Sequence, residues 1–155
     1  MSDLPSRIEI HEEGPREGFQ FEKTIYPLAE RVALVDALSG TGLKQIQVAS
    51  FVSTTRVPQM ADSAELFAAI KKVPGVTHTA LWLNEQGFRR AASVKNVDLK
   101  GTLLFYASDA FARQNNGCDA RTMRERQDDW IRLYDDAGVD IHAAYIMTAF
   151  GCNLQ

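Results

Sequence analysis

In GPREGFQFE, Gly14 to Glu22, an arginine and a glutamate stand side by side between two glycines, as Arg16 and Glu17. A guanidinium is a permanently charged, forked donor suited to negative charge on oxygen. A neighbouring carboxylate can offer oxygen to a hard divalent cation, or the two can be a solvated loop pair of little worth. A second string, QVASFVSTTRVPQMAD from Gln47, gathers Ser50, Ser53, Thr54, Thr55 and Arg56 behind a short apolar run. Hydroxyls there can orient ligand oxygens or simply cap turns and helices. Cys118 and Cys152 have neither a zinc-like nor a redox CxxC spacing and read as structural thiols. His11, His78 and His142 show no metal-ligand pairing.

The elements that must carry these residues alternate in period. Ile8 and Ile10, alternating with Arg7, Glu9 and His11, predict a first strand that ends at Glu13-Gly14. From Pro27, the apolar residues Leu28, Val32, Leu34, Val35 and Leu38 recur at helical spacing, and Gly40 and Gly42 suit a stop. Gln45 to Ala49 reads as a second strand, Ala61-Asp62-Ser63 opens a helix with Leu66, Phe67 and Ile70 on one face, and Thr79 to Leu83 is a third strand. A weaker helix follows from Glu85 to about Val94, with Asn84 as its possible cap. Leu103 to Tyr106 is an apolar run expected of a strand covered on both faces. Asp119 caps a long amphipathic helix with Met123, Trp130, Leu133 and Tyr134 on its core side and Gly138 at its end; Ile141 to Met147 is the fifth strand.

Such βα alternation calls for a parallel sheet with helical crossovers. It leaves two architectures open, a doubly wound sheet or part of a (β/α)8 barrel, whose closure takes eight strands and typically ~250 residues. No GxGxxG opens the first helix, which argues against a dinucleotide-binding sheet. In either architecture the chemistry gathers at the carboxyl ends of the strands, in loops beginning at Gly14, Ser50, Asn84, Ser108 and Phe150.

The 155 residues, 45% hydrophobic and 24% charged, describe one globular domain spanning 1–155. A net charge of -3, with no basic run interleaved with aromatics, argues against a nucleic-acid partner. No apolar run approaches the ~20 residues of a membrane span, and the start lacks a signal-peptide pattern. A reducing cytoplasm is the expected compartment.

GPREGFQFE is similar to the GPRDGLQ-E signature, and IQVASFVSTTRVPQMAD to the IE-TSFVS---VPQM-D signature, of the 3-hydroxy-3-methylglutaryl-CoA lyase family within the DRE-TIM metallolyases. LNEQGF, Leu83 to Phe88, resembles PN--GF; YASDAF, Tyr106 to Phe111, resembles AASE-F, with Asn115 and Asn116 following; and Gly151-Cys152 resembles the GCP segment after strand five. These blocks run in order along essentially the whole chain. The resemblance implies an α/β fold of the TIM-barrel family, of which about five strands are present here as its amino-terminal portion.

It also implies a metal-assisted lyase that cleaves a branched hydroxyacyl-CoA to acetyl-CoA and a keto acid, with Mg2+ or Mn2+ as cofactor and an acyl-CoA as its small-molecule partner. By that resemblance Arg16 and Gln47 are catalytic positions, Arg16 stabilising the enolate. Glu17 is the metal ligand, and Gln20, Ser50, Asn84 and Ser108 bind substrate. Three departures stand out: Glu17 where the family has Asp, Gln47 where it has Glu, and Asp109 where it has Glu. The family's His-x-His pair, its further Asn ligand and its catalytic Cys have no matching segment, so this chain is expected not to turn over substrate. Two other readings stay open, a non-catalytic half barrel that binds a partner or pairs with itself as a homo-oligomer, and a superfamily enzyme that condenses acetyl-CoA with a 2-keto acid.

Overall fold

The structure is a computed structural model, which describes residues 4–154. It divides into two compact units, one ending at Leu99 and the other starting at Lys100.

The first unit holds three parallel strands in the order β1-β2-β3: β1 (His11–Glu12), β2 (Gln45–Ser50) and β3 (Thr77–Leu81). Between and after them come helices α1 (Gly14–Phe21), α2 (Leu28–Ser39), a 3-10 turn (Pro58–Met60), α3 (Ser63–Ala69) and α4 (Glu85–Ala92). Central β2 supplies the core, with Ile46, Val48 and Ala49 fully buried beside Phe51, Leu66 and Phe67. The Phe51 and Phe67 rings stack with centroids 6.0 Å apart. The β2–β3 register slips between Gln47 and Ala49, leaving one extra residue in β2. Gly42, at φ 92°, takes the left-handed turn that ends the α2 segment, as its position predicts.

The second unit pairs β4 (Gly101–Tyr106) with β5 (Ile141–Met147), again in parallel, and carries α5 (Asp109–Asn116), α6 (Ala120–Glu125) and α7 (Gln127–Asp136). Its core centres on Tyr134, Met123, Ala112 and Val139. In both sheets consecutive strands are neighbours, which suits a barrel and excludes the 2-1-3 order of one doubly wound class.

Several expectations need correction. The first strand is only His11–Glu12, while Ile8 and Ile10 are 76% and 62% exposed. Their partner strand begins at Gln45, directly after the Gly42 turn, so nothing upstream offers them a ladder. GPREGFQF is a helix rather than a loop: Pro15 sits in its opening turn and Glu17 near its positive end. An unforeseen helix, α5, follows Ser108. The long helix from Asp119 is interrupted at Arg126, although backbone bonds from Arg126 to Thr122 and from Trp130 to Arg126 carry the ladder across. Strand β4 is only half-buried beyond Gly101, and its partner β5 is mostly exposed, so neither forms a strand covered on both faces by the described residues. Trp130 and Leu133 are half-buried, and of that group Met123 and Tyr134 alone are fully core. No helix among the described residues is long and apolar enough to cross a membrane.

Candidate functional site

Alternation along β2 sends Ile46 and Val48 into the core and Gln47 to the opposite face. There the Gln47 amide meets α1, which starts directly after β1. Arg16 Nε donates to Gln47 Oε1 at 2.5 Å, its Nη2 donates to Glu13 Oε2 at 2.7 Å, and its Nη1 pairs with Glu17 Oε2. Gln20, one turn on, donates from Nε2 to Glu17 Oε2 at 3.3 Å. The predicted Arg16, Glu17, Gln20 and Gln47 thus form one cluster just past the carboxyl end of β1 and beside the middle of β2.

The Arg16 side chain is only 10% exposed, whereas those of Glu13 and Glu17 are each 45% exposed. Burial pulls the Arg16 guanidinium below its ordinary pKa, and the Glu13 charge and hydrogen bond push it back up. It remains a cation at neutral pH, so the cluster is a buried positive charge with two half-exposed carboxylates on its rim. Glu13 was not among the sequence candidates. Its place three residues before Arg16, on the same side of a helix start, was the signal available, and reading GPREGFQF as a loop concealed it.

Ser50 ends β2 at 1% exposure, and among the described residues its Oγ finds no hydrogen-bond partner, while its backbone oxygen accepts from Ser63 Oγ at 2.9 Å. A buried hydroxyl left open in this way is costly, and such groups concentrate at functional sites. Ser53, Thr54, Thr55 and Arg56 lie exposed in a turn closed by the Ser53 Oγ–Thr55 Oγ1 bond of 2.8 Å and by Val57 N donating to Ser53 O at 2.9 Å.

The VPQMAD string has a mechanical task here. Buried Arg31 of α2 donates from Nη1 to Asp62 Oδ1 at 2.5 Å and from Nη2 to Met60 Sδ at 3.8 Å, and its guanidinium lies 5.9 Å from the Phe19 ring centroid. Gln59 Nε2 donates to Glu22 O at 2.6 Å. The loop after β2 is therefore tied to α1, the helix that carries Arg16.

Asn84 is the N-cap of α4, its Oδ1 accepting from Gly87 N at 2.8 Å. Gly87 is required by space: a Cβ there would lie 2.3 Å from Phe51 O. In the second unit Ser108 caps α5, accepting from Phe111 N at 3.2 Å, and donates to Cys152 Sγ at 3.3 Å. Among the described residues Cys118 and Cys152 form no disulfide.

A resident divalent metal fits these residues incompletely. Among the described residues no three His, Cys, Asp or Glu side chains gather to hold one, and Glu17 is already engaged by Arg16 and Gln20. His11 bonds Glu9 and Gln45, buried His78 bonds Ser39, and His142 bonds the Gly101 carbonyl.

Residues 7–154 match the HMGL-like family model. The chain is 38% identical to the mitochondrial hydroxymethylglutaryl-CoA lyase of Rattus norvegicus over 154 residues, which is 98% of this chain and 46% of that protein. It is 44% identical over 126 residues, 80% of this chain and 41% of the relative, to a 3-hydroxy-3-isohexenylglutaryl-CoA/hydroxy-methylglutaryl-CoA lyase of Pseudomonas aeruginosa. The crystal structure of hydroxymethylglutaryl-CoA lyase from Pseudomonas aeruginosa superposes with a TM-score of 0.84 at 39% identity, covering 97% of this chain and 49% of that one. The chain thus spans about half the length of the relatives it matches. The fold is α/β and resembles the TIM barrel of those lyases, with five strands of it present. With the Arg16 cluster just past the carboxyl end of β1 and the family match running over nearly its whole length, the chain belongs to the HMGL-like family of lyases.

Proposed function

We propose that these residues form the amino-terminal part of the active site of a carbon-carbon lyase that cleaves a 3-hydroxy-3-methylglutaryl-CoA-like acyl-CoA to acetyl-CoA and a keto acid. The observation that carries this reading is Arg16, a buried guanidinium held in a fixed pose by Gln47, Glu13 and Glu17. In such a cleavage a base takes the proton of the tertiary hydroxyl and the oxygen closes to a carbonyl. The electron pair of the broken carbon-carbon bond then passes to the thioester, giving an enolate that is protonated to acetyl-CoA. A preorganised cation beside the enolate oxygen lowers that barrier, and Arg16 is the residue for it. Gln47 fixes the Arg16 fork, and Gln20 holds Glu17. The open hydroxyl of Ser50 is a donor for a substrate oxygen, while Asn84 and Ser108, both engaged as helix caps, present their remaining lone pairs at strand ends.

Glu17 is the one carboxylate we assign to a divalent metal. Because the described residues supply no complete ligand set, the 155-residue chain is proposed to bind substrate without turning it over. The test is isothermal titration with hydroxymethylglutaryl-CoA. Arg16→Gln is expected to weaken binding roughly tenfold or more, the weight of a hydrogen bond to a charged group. Ser50→Ala is expected to weaken it without lowering the melting temperature, since the hydroxyl has no hydrogen-bond partner among the described residues. Equal affinity in all three proteins would remove the lyase reading; rapid release of acetyl-CoA by the homogeneous chain would remove the proposal of inactivity.

A further inference from the structure

All three nitrogens of the Arg16 guanidinium are occupied by this chain's own side chains: Nε by Gln47, Nη2 by Glu13 and Nη1 by Glu17. These contacts use three of its five N–H groups, one on each nitrogen, and an oxyanion that reaches the guanidinium meets a charge already balanced by two carboxylates. The three are not equally free to leave. Gln47 is set in the central strand and is half-buried. Glu17 lies within α1 and is held a second time by Gln20.

Glu13 differs from both. It occupies the N-cap position of α1 yet makes no side-chain cap bond, and among the described residues Arg16 is the only partner of its carboxylate. The half-exposed side chain can swing into water without unravelling the helix, because its backbone oxygen, not its carboxylate, accepts from Arg16 N and Glu17 N. The position it would vacate faces the positive end of an eight-residue helix as well as the guanidinium, a double attraction for an anion.

We infer that Glu13 is an internal counter-anion of Arg16, with which an anionic acyl-CoA competes for the guanidinium that is to hold its developing charge. This deepens the lyase reading and rests on it for the identity of the ligand, but not for the Glu13–Arg16 contact itself. Glu13 is a positioning residue: it keeps the guanidinium oriented and charge-balanced when the site is empty, and sets a threshold for ligand entry.

Two measurements on the 155-residue chain test it. Phenylglyoxal, which condenses with accessible guanidinium groups, is followed at each arginine by peptide mass mapping. In Glu13→Gln the rate at Arg16 is expected to rise about threefold or more, the scale of a half-exposed ion pair lost, while exposed Arg89 and Arg132 keep their rates. Titration with hydroxymethylglutaryl-CoA is expected to show tighter binding by Glu13→Gln than by the parent. Glu13→Asp, which keeps the charge on a shorter arm, supplies the same comparison should the amide variant fold poorly. An unchanged rate at Arg16, or weaker binding by the Gln variant, overturns the inference. A faster Arg16 reaction with no binding by either protein leaves the counter-anion in place and removes the lyase reading instead.

Discussion

His78 lies wholly buried in β3, and the fold treats its two ring nitrogens differently. The single hydroxyl proton of Ser39 goes to Val35 O at 2.8 Å, so Ser39 Oγ can only accept from His78 Nε2, also at 2.8 Å. The ring proton therefore sits on Nε2, and Nδ1 is a buried acceptor with no partner among the described residues. Burial, and then the Lys72 ammonium, lower the His78 pKa against the opposing Asp98 and Asp36 carboxylates. The sign follows. As pH falls below about 6.5, the unfolded chain takes up a proton that the folded chain refuses, so stability is intact above that value and declines below it. Urea unfolding at pH 7.5 and 5.5 should show a steeper loss for the parent than for His78→Gln, the difference staying within about 1.36 kcal/mol per pH unit. Parallel pH dependences would mean that His78 accepts its proton in place.

At the scale of elements, α1 is eight residues long, too short to persist without tertiary support. Arg31 supplies much of that support by joining α2, Met60, Asp62 and the Phe19 ring. Asp62→Asn would leave the guanidinium buried without a counter-charge. The expected cost is roughly 2 kcal/mol, below the 3–5 typical of a wholly buried pair because Asp62 keeps a third of its side-chain surface in water. A lowered urea midpoint, with faster hydrogen exchange concentrated in α1, checks it; uniform loosening of both units would not fit.

Much of this scale was legible in the residues. The α2 stop at Gly40 and Gly42, the α4 cap at Asn84, and β2 as the second strand all follow from local spacing and propensity, whereas the apolar run of β4 suggested a burial that fell to β2 instead. Helix α1 was missed because two glycines within eight residues read as a loop, whereas Pro15 in the first turn and contacts from distant Arg31 and Gln59 decide the matter. The same error hid Glu13. Arg16, Glu17, Gln20 and Gln47 could be named from sequence, but their convergence on one guanidinium depends on pairing β1 with β2, a contact that spacing alone does not fix.

At the scale of the whole molecule, the second unit presents apolar surface to water. Tyr145 and Ile146 of β5 are 51% and 63% exposed, and Phe150 just beyond is fully exposed. Strands with open apolar faces invite pairing with other chains. The 155-residue chain is expected to associate as its concentration rises, and sedimentation velocity should show this reduced in Ile146→Glu. A monomer at all concentrations would mean that this surface is tolerated in water.

The extra residue in β2 has a consequence for how the strand can vary. Gln47 and Ser50 are three apart, an odd spacing that unbroken alternation would send to opposite faces. The slip between Gln47 and Ala49 resets the count, so that Ser50 returns to the side of the sheet that Gln47 occupies. Val48 thus acts as a spacer as well as a core residue. Deleting it would remove one apolar side chain and the bulge together, leaving Gln47 and Ser50 two apart and on one face by plain alternation, so the strand could shorten by a residue at the cost of packing while keeping its two polar positions together.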